Sequence, residues 1–245
     1  MNKQTIQKQT MQKQTMHKQR LQQRVDAIAD QFPARWQVTT FDGLNGVAFP
    51  HFVIDNFFTD DEFAAICAKE KAVAGKEVNM AHSLIRKDGE IKSNTFDDEF
   101  LTKIDQSYRP YLLQFLAILS SNKTKLYEYS DFHLISTGPD YQHAIHDDIP
   151  KKLLSVVVYM APEKNHGTFI HPDRNTQEPA GEVQWQRNRA FVFSRKDRKT
   201  WHSYSANGKA NRFCVVYNLN TYKAFKAHWA EGNFLKFLEK GIKYE

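Results

Sequence analysis

Cysteine is scarce, with only Cys67 and Cys214 in 245 residues. Two cysteines make no disulfide framework, so a reduced, cytoplasmic setting is expected. No run of about 18 apolar residues occurs, which leaves no candidate transmembrane helix. The first residues are polar and lack an apolar h-region, so no secretory signal is expected. Acidic residues are missing from positions 1–24, which hold six basic ones: Lys3, Lys8, Lys13, Lys18, Arg20 and Arg24. The chain carries 34 Lys and Arg against 28 Asp and Glu, so this short stretch accounts for the whole net charge of +6. The remaining body is neutral. A neutral body is a weak footprint for a phosphate backbone, and no specific nucleic-acid partner is expected.

What is present points to a packed, β-rich domain. Apolar residues make up 41% of the chain and Phe occurs 18 times, enough for a real core. The first 20 residues are a five-residue repeat, NKQTI-QKQTM-QKQTM-HKQRL. Ile6, Met11, Met16 and Leu21 step about 140° around a helix and form no single stripe, which argues against a coiled coil. Residues 1–24 are therefore expected to be a Gln/Lys-rich, flexible or partly helical extension. Residues 25–245 are expected to form a single domain.

Within that domain, "LQQRVDAIADQF" (21–32) reads as a short amphipathic helix ending before Pro33. "VAFPHFVIDNFF" (47–58) reads as a strand. Thr59 and Glu62 stand at capping-box spacing before a helix. Residues 98–120 form a long helical pattern, interrupted or bent at Pro110. From 125 to 220, short apolar runs alternate with turn signals: "LYEYSDFHLIS", "LLSVVVYM", "GTFIH", "GEVQWQ", "RAFVFS", "WHSYS" and "NRFCVVYNL". Short strands at this spacing indicate a sandwich or barrel. "YKAFKAHWAEGNFLKFLEKGI" reads as a C-terminal helical segment with a break at Gly232. The fold class expected is mostly β with flanking helices (α+β).

The chemistry concentrates in "HAIHDDIPKKLLSVVVYM". In a strand, residues i and i+2 share a face, so His146 and Asp148 project together and Asp147 points away. Two such ligands, with a distal His, make the 2-His-1-carboxylate arrangement that suits non-haem Fe(II) and leaves open positions for substrate and O2. A second His-x-Asp, His171 and Asp173, encloses Pro172, which cannot donate to a sheet ladder. It leaves 28 residues before His202, whereas the first pair leaves 53, room for several strands. The first pair is favoured. Arg212 follows His202 by ten residues in an otherwise apolar strand. The Asn-Gly between them is a strong hairpin signal and would fold Arg212 back beside His202. A guanidinium there is a forked receptor for a carboxylate.

The order His146-x-Asp148, His202, Arg212 resembles the Fe(II)- and 2-oxoglutarate-dependent dioxygenases, and in particular their prolyl-4-hydroxylase-like branch. "FPHFVIDNFFTDDEF", "LSVVVYMAPEKNHGTFI" and "RAFVFSRKDRKTWHSYS" are similar to segments of that branch, and the likeness runs over about residues 47–220. It implies a double-stranded β-helix (jelly-roll, cupin-like) core over about 125–220. Fe(II) would be held by His146, Asp148 and His202. Arg212 would bind the distal carboxylate of 2-oxoglutarate, with Tyr159 sharing that role or packing in the core. Thr168 stands in place of the second Gly of a Gly-Gly pair, Cys214 where a Ser is frequent, and Ser136 where several relatives have a Tyr.

The family's chemistry would be hydroxylation of an unactivated C–H, with O2 consumed and 2-oxoglutarate converted to succinate and CO2. A carboxylate at Asp148 argues against halogenation. For substrate contacts the candidates are His143, Gln142, Trp201 and, from the N-terminal region, Arg86 or His82. The bland alternatives are a strand-end role for His143, packing for Trp201 and a solvated loop for Arg86. A small polar molecule such as a free amino acid is the expected substrate. A peptidyl-proline or protein hydroxylase and a non-enzymatic cupin-like metal module are the rival expectations.

Overall fold

A computed structural model describes residues 21–42, 49–75 and 78–231. Residues 1–20, which hold all of the five-residue repeat but its last position, and residues 232–245, with Gly232, lie outside the described residues. A helical stretch over 21–26 and a 3-10 turn at Ala29–Gln31 lead into strands β1 (Gln37–Asp42) and β2 (Pro50–Asp55). Helices α1 (Asp60–Cys67) and α2 (Glu70–Val73) follow, then β3 (Asn79–Ala81), β4 (Ser83–Arg86), β5 (Ile91–Ser93) and helix α3 (Asp98–Ser120). The central strands are β6 (Tyr129–Thr137), β7 (Gln142–His146), β8 (Lys152–Ala161), β9 (Thr168–Ile170) and β10 (Gly181–Val183). The last are β11 (Arg189–Phe193), β12 (His202–Ser205) and β13 (Arg212–Asn220), before helix α4 (Ala224–Ala230). The chain is mostly β with flanking helices, and no helix among the described residues is long and apolar enough to cross a membrane.

The capping box forms as its spacing predicts: Thr59 accepts from the Glu62 amide, and Glu62 accepts from the Thr59 amide at 3.0 Å. Helix α3 starts at an Asp97 cap and runs as one 23-residue helix through Pro110. The expected interruption does not occur. The missing Pro110 amide costs one helical hydrogen bond. The stripe Leu101, Ile104, Tyr108, Leu112 and Phe115, all buried, holds the helix on the sheet on both sides of it.

The strands make two antiparallel sheets. The larger runs β1-β2-β11-β8-β13-β6-β4-β5, with β3 also on β6; the smaller runs β10-β9-β12-β7. Strands therefore extend beyond 125–220, with β1–β2 at one edge and β3–β5 at the other. Strand β2 falls within the strand expected over 47–58, whereas β1 and β3–β5 are short or polar, which hides their period.

The larger sheet is covered on both faces. Helix α3 and its neighbours cover one face, over Phe52, Leu154, Val156, Val158, Phe213, Val215 and Leu219. The smaller sheet covers part of the other, where Tyr159, Phe191, Phe193 and Cys214 meet Ile170 and Val183. Double coverage is why β8 reads as an unbroken apolar run.

One expected hairpin is absent. Strands β12 and β13 do not pair: β12 lies between β7 and β9, and β13 lies between β6 and β8. The Asn207–Gly208 turn instead carries the chain from one sheet to the other. Gly208 has φ +75°, and its amide donates to the Pro139 carbonyl. Both edges of each strand are taken, so local turn chemistry could not decide the pairing.

Candidate metal and anion site

The site begins with one cross-strand pair. Strand β7 pairs with β12 so that His146 lies opposite His202, with ring centroids 4.2 Å apart. Each imidazole is oriented by the carbonyl two residues before it. His146 Nδ1 donates to Ala144 O at 3.0 Å, and His202 Nδ1 donates to Thr200 O at 2.8 Å. A carbonyl only accepts, so Nδ1 carries the hydrogen and Nε2 presents its lone pair to the cavity.

Asp148 comes from beyond the end of β7, not from the strand itself. Its placement rests on hydrogen bonds: Lys152 Nζ and Ser155 Oγ, both on β8, each hold one carboxylate oxygen at 2.7 Å. Arg195 Nε grips the Asp148 carbonyl at 2.5 Å. Asp147 turns the other way, accepting from Thr200 Oγ1 at 2.6 Å and the Arg198 amide at 2.7 Å. The opposite aim of the two carboxylates comes from these partners and not from strand alternation. One ligand atom each of His146, Asp148 and His202 lies within 4.8 Å of the others.

The electrostatics suit a cation. Burial, then the neighbouring His202, pushes His146 down to about 4, so at neutral pH its ring is uncharged. Burial likewise lowers His202. Burial alone would raise Asp148, but Lys152, His202 and Ser155 hold it well below the usual carboxylate range. Two neutral imidazoles and one carboxylate are the protonation states a divalent metal needs.

A chain of rings leads from this triad to Arg212. His143 meets His146 edge-on at 4.1 Å and stacks on Tyr204 at 5.3 Å, and the Arg212 guanidinium lies 4.1 Å from the Tyr204 ring centre. Tyr159 and Trp185 flank the guanidinium at 5.5 and 5.4 Å. Arg212 is 4% exposed, and its Nε and Nη2 have no hydrogen-bond partner among the described residues. A buried cation with an unpaired edge calls for an anion. Triad and guanidinium line one cavity of about 400 Å3, at the small end of the range for ligand pockets.

No protein-family model matches the chain, and no curated protein sequence does. Solved structures do. An oxidoreductase of the 2OG-Fe(II) oxygenase family from Burkholderia pseudomallei superposes with a TM-score of 0.50 at 13% identity, over 82% of this chain and 89% of that one. The chain shares that protein's fold. A prolyl-4-hydroxylase from Pseudomonas putida matches at TM-score 0.46 and 16% identity, over 82% of this chain and 98% of that one. IDO from Bacillus thuringiensis matches at TM-score 0.46 and 10% identity, over 83% of this chain and 99% of that one. A shared fold leaves the activity to be argued from the site.

The other residues singled out from sequence fall in different places. His143 lines the cavity, while Gln142, Trp201 and Arg86 do not. Gln142 is exposed, and Arg86 pairs with Glu90 at 3.0 Å on the β4–β5 hairpin. His82 is exposed but meets the cavity-lining His133 edge-on at 4.6 Å. Tyr159 is not on the cavity wall. Its hydroxyl shares a hydrogen bond with Thr168 at 2.9 Å and donates to the Val183 carbonyl at 3.3 Å. Thr168 thus has a partner that a glycine could not supply, whereas Gly167 is tightly required: a Cβ there would lie 1.7 Å from the Val183 carbonyl oxygen. His171 has both ring nitrogens bonded, to Thr176 O and Ser203 Oγ, and Asp173 caps a turn. Sequence reasoning missed Asp131, His133, Tyr204 and Asn218. For Asp131, His133 and Asn218 the signal is a shared parity on β6 and β13, visible only once the register of those strands is known, and Tyr204 is placed by the pairing of β12 with β7, opposite His143.

Proposed function

We propose that the chain is an Fe(II)- and 2-oxoglutarate-dependent oxygenase that hydroxylates an unactivated C–H bond of a small polar molecule, such as a free amino acid. One observation carries this. A single cavity is lined by two imidazoles and a carboxylate whose ligand atoms lie within 4.8 Å of one another, and by a buried guanidinium whose Nε and Nη2 have no hydrogen-bond partner among the described residues. The facing sheets support a double-stranded β-helix as the description of the core.

His146 Nε2, His202 Nε2 and an Asp148 oxygen would hold Fe(II) and leave open positions. Iron bound there supplies the oxidising power for the hydroxylation, with O2 as oxidant and 2-oxoglutarate leaving as succinate and CO2. Arg212 presents Nε and Nη2 on one edge, the fork that matches a carboxylate bidentately. Tyr204, Tyr159 and Trp185 wall that guanidinium off from water, which strengthens its pull on an anion. Lys152 and Ser155 keep Asp148 ionised and aimed.

The test is succinate formation with Fe(II), 2-oxoglutarate and a panel of amino acids, sugars and peptides. His146→Ala should abolish turnover and iron binding, and His171→Ala should keep both. The opposite result would overturn the ligand set. Stimulation by peptides alone would make the chain a peptidyl hydroxylase. No consumption of 2-oxoglutarate, with or without any substrate, would leave only a metal-binding module.

A further inference from the structure

The cavity has a second polar end, away from Arg212, that the chemistry above does not use. Pairing in the larger sheet sets Asp131 of β6 opposite Asn218 of β13, and Asn218 opposite Ser155 of β8. This polar row crosses the sheet and ends on Asp148, which Ser155 holds at 2.7 Å. Asn218 and Arg212 are six residues apart on β13, roughly 20 Å of strand.

The row is rich in unused acceptors. Asn218 is 1% exposed and makes no side-chain hydrogen bond among the described residues, with Oδ1 wholly buried. His133 turns Nε2 to Asp131 at 3.4 Å, which leaves Nδ1 as the acceptor, also buried without a hydrogen-bond partner among the described residues. Asp131 receives Asn220 Nδ2 at 2.6 Å on one oxygen, and its other oxygen is free among the described residues. The nearby cation, Lys152, is spent on Asp148. A buried acceptor left unpaired costs free energy, so this set is poised for a donor from outside. Around it the wall is aliphatic: Val78, Met80 and Ile149 stand 39%, 40% and 56% exposed and line the cavity with Ile135.

We propose that the substrate is an aliphatic primary amine in its ammonium form, with its N–H groups on Asp131, His133 and Asn218 and its alkyl body against Val78, Met80 and Ile149. An ammonium has three donors and no acceptor, the complement of three acceptors and a carboxylate charge. What becomes of the amine rests on the oxygenase reading; its binding does not.

The test is calorimetric binding of the full chain to alkylamines and aliphatic amino acids, beside their N-acetyl and deamino counterparts. The amines should bind, and the counterparts should bind at least about 10-fold more weakly, because they leave the acceptors unpaired. Asp131→Asn, which keeps the shape, should lose a similar factor. Asn218→Leu should lose affinity and raise the melting temperature of the free chain, since it removes a buried unpaired amide. Equal binding of amines and N-acetyl forms, no binding by any amine, or unchanged amine affinity in Asp131→Asn would each overturn the proposal. Iron binding and amine-independent succinate formation by the wild-type chain are measured separately, so the oxygenase reading stands or falls on its own.

Discussion

Strand β13 has two faces with opposite characters. Phe213, Val215, Tyr217 and Leu219 point to the helices, and Arg212, Cys214, Val216 and Asn218 point to the cavity. On the helix side, a buried charge is fully provided for. Asp105 receives Tyr217 Oη at 2.8 Å, Ser130 Oγ at 3.0 Å and an ion pair from Arg109 at 2.6 Å. On the cavity side, Arg212 and Asn218 are as deeply buried and have no such partners among the described residues. Groups satisfied within the chain stabilise the fold. Groups left unpaired lower its stability and are the places where a ligand adds contacts. One strand thus separates satisfied groups from unpaired ones by residue parity.

The sharpest way to break this contrast is on the helix side. Phe115 is fully buried against Phe52, Trp36 and Phe32. Phe115→Ala should cost about 3–5 kcal/mol, read by denaturant unfolding, and unfold much of the chain near 37 °C. On the cavity side the largest effect is on binding. Asp148→Ala should reduce Fe(II) affinity by more than about 100-fold in a metal titration, with the far-UV spectrum unchanged.

Arg212→Met sharpens the comparison directly. It should weaken 2-oxoglutarate binding by about 100-fold or more while leaving unfolding free energy within about 1 kcal/mol of wild type, or above it. A loss of several kcal/mol in stability would mean that the guanidinium has a structural partner after all.

Acid should also act on the cavity side of the larger sheet. Burial holds His51, on β2, down to about 4 against an ordinary 6.5, and His51 is 3% exposed. The unfolded chain therefore takes up the proton first. Stability is full above about pH 6.5 and falls as pH drops from there towards 4. The loss from His51 alone should be about 2 kcal/mol between pH 7 and 5, and His51→Phe should flatten that part of the metal-free chain's curve. The smallest effect belongs to Arg86→Ala. Its pair with Glu90 is surface-exposed, so stability should move by less than about 0.5 kcal/mol and neither iron nor 2-oxoglutarate affinity should change.

The strands from 125 to 220 were legible because their apolar runs and turn residues are local signals. So was the capping box at Thr59 and Glu62, which needs only three residues of spacing. The short strands β3, β4 and β5 were not legible, because three or four residues carry too little period to distinguish them from loop. The Asn207–Gly208 turn misled for a related reason: turn chemistry specifies a bend, and it does not say which sheet receives the next strand.

By itself the sequence singled out a small set of candidate ligand side chains. His146, Asp148, His202 and Arg212 stand out by residue type, spacing and apolar surroundings, and one cavity contains all four. Only the tertiary structure decided how they meet: a cross-strand pair for the imidazoles, a lysine and a serine on β8 for the carboxylate, and a crossing between sheets for the guanidinium. It alone revealed the row Asp131–Asn218–Ser155, whose members lie 87 and 63 residues apart in order along the row. Spacing and period act along the chain, whereas register between distant strands is set by which faces the whole core must bury.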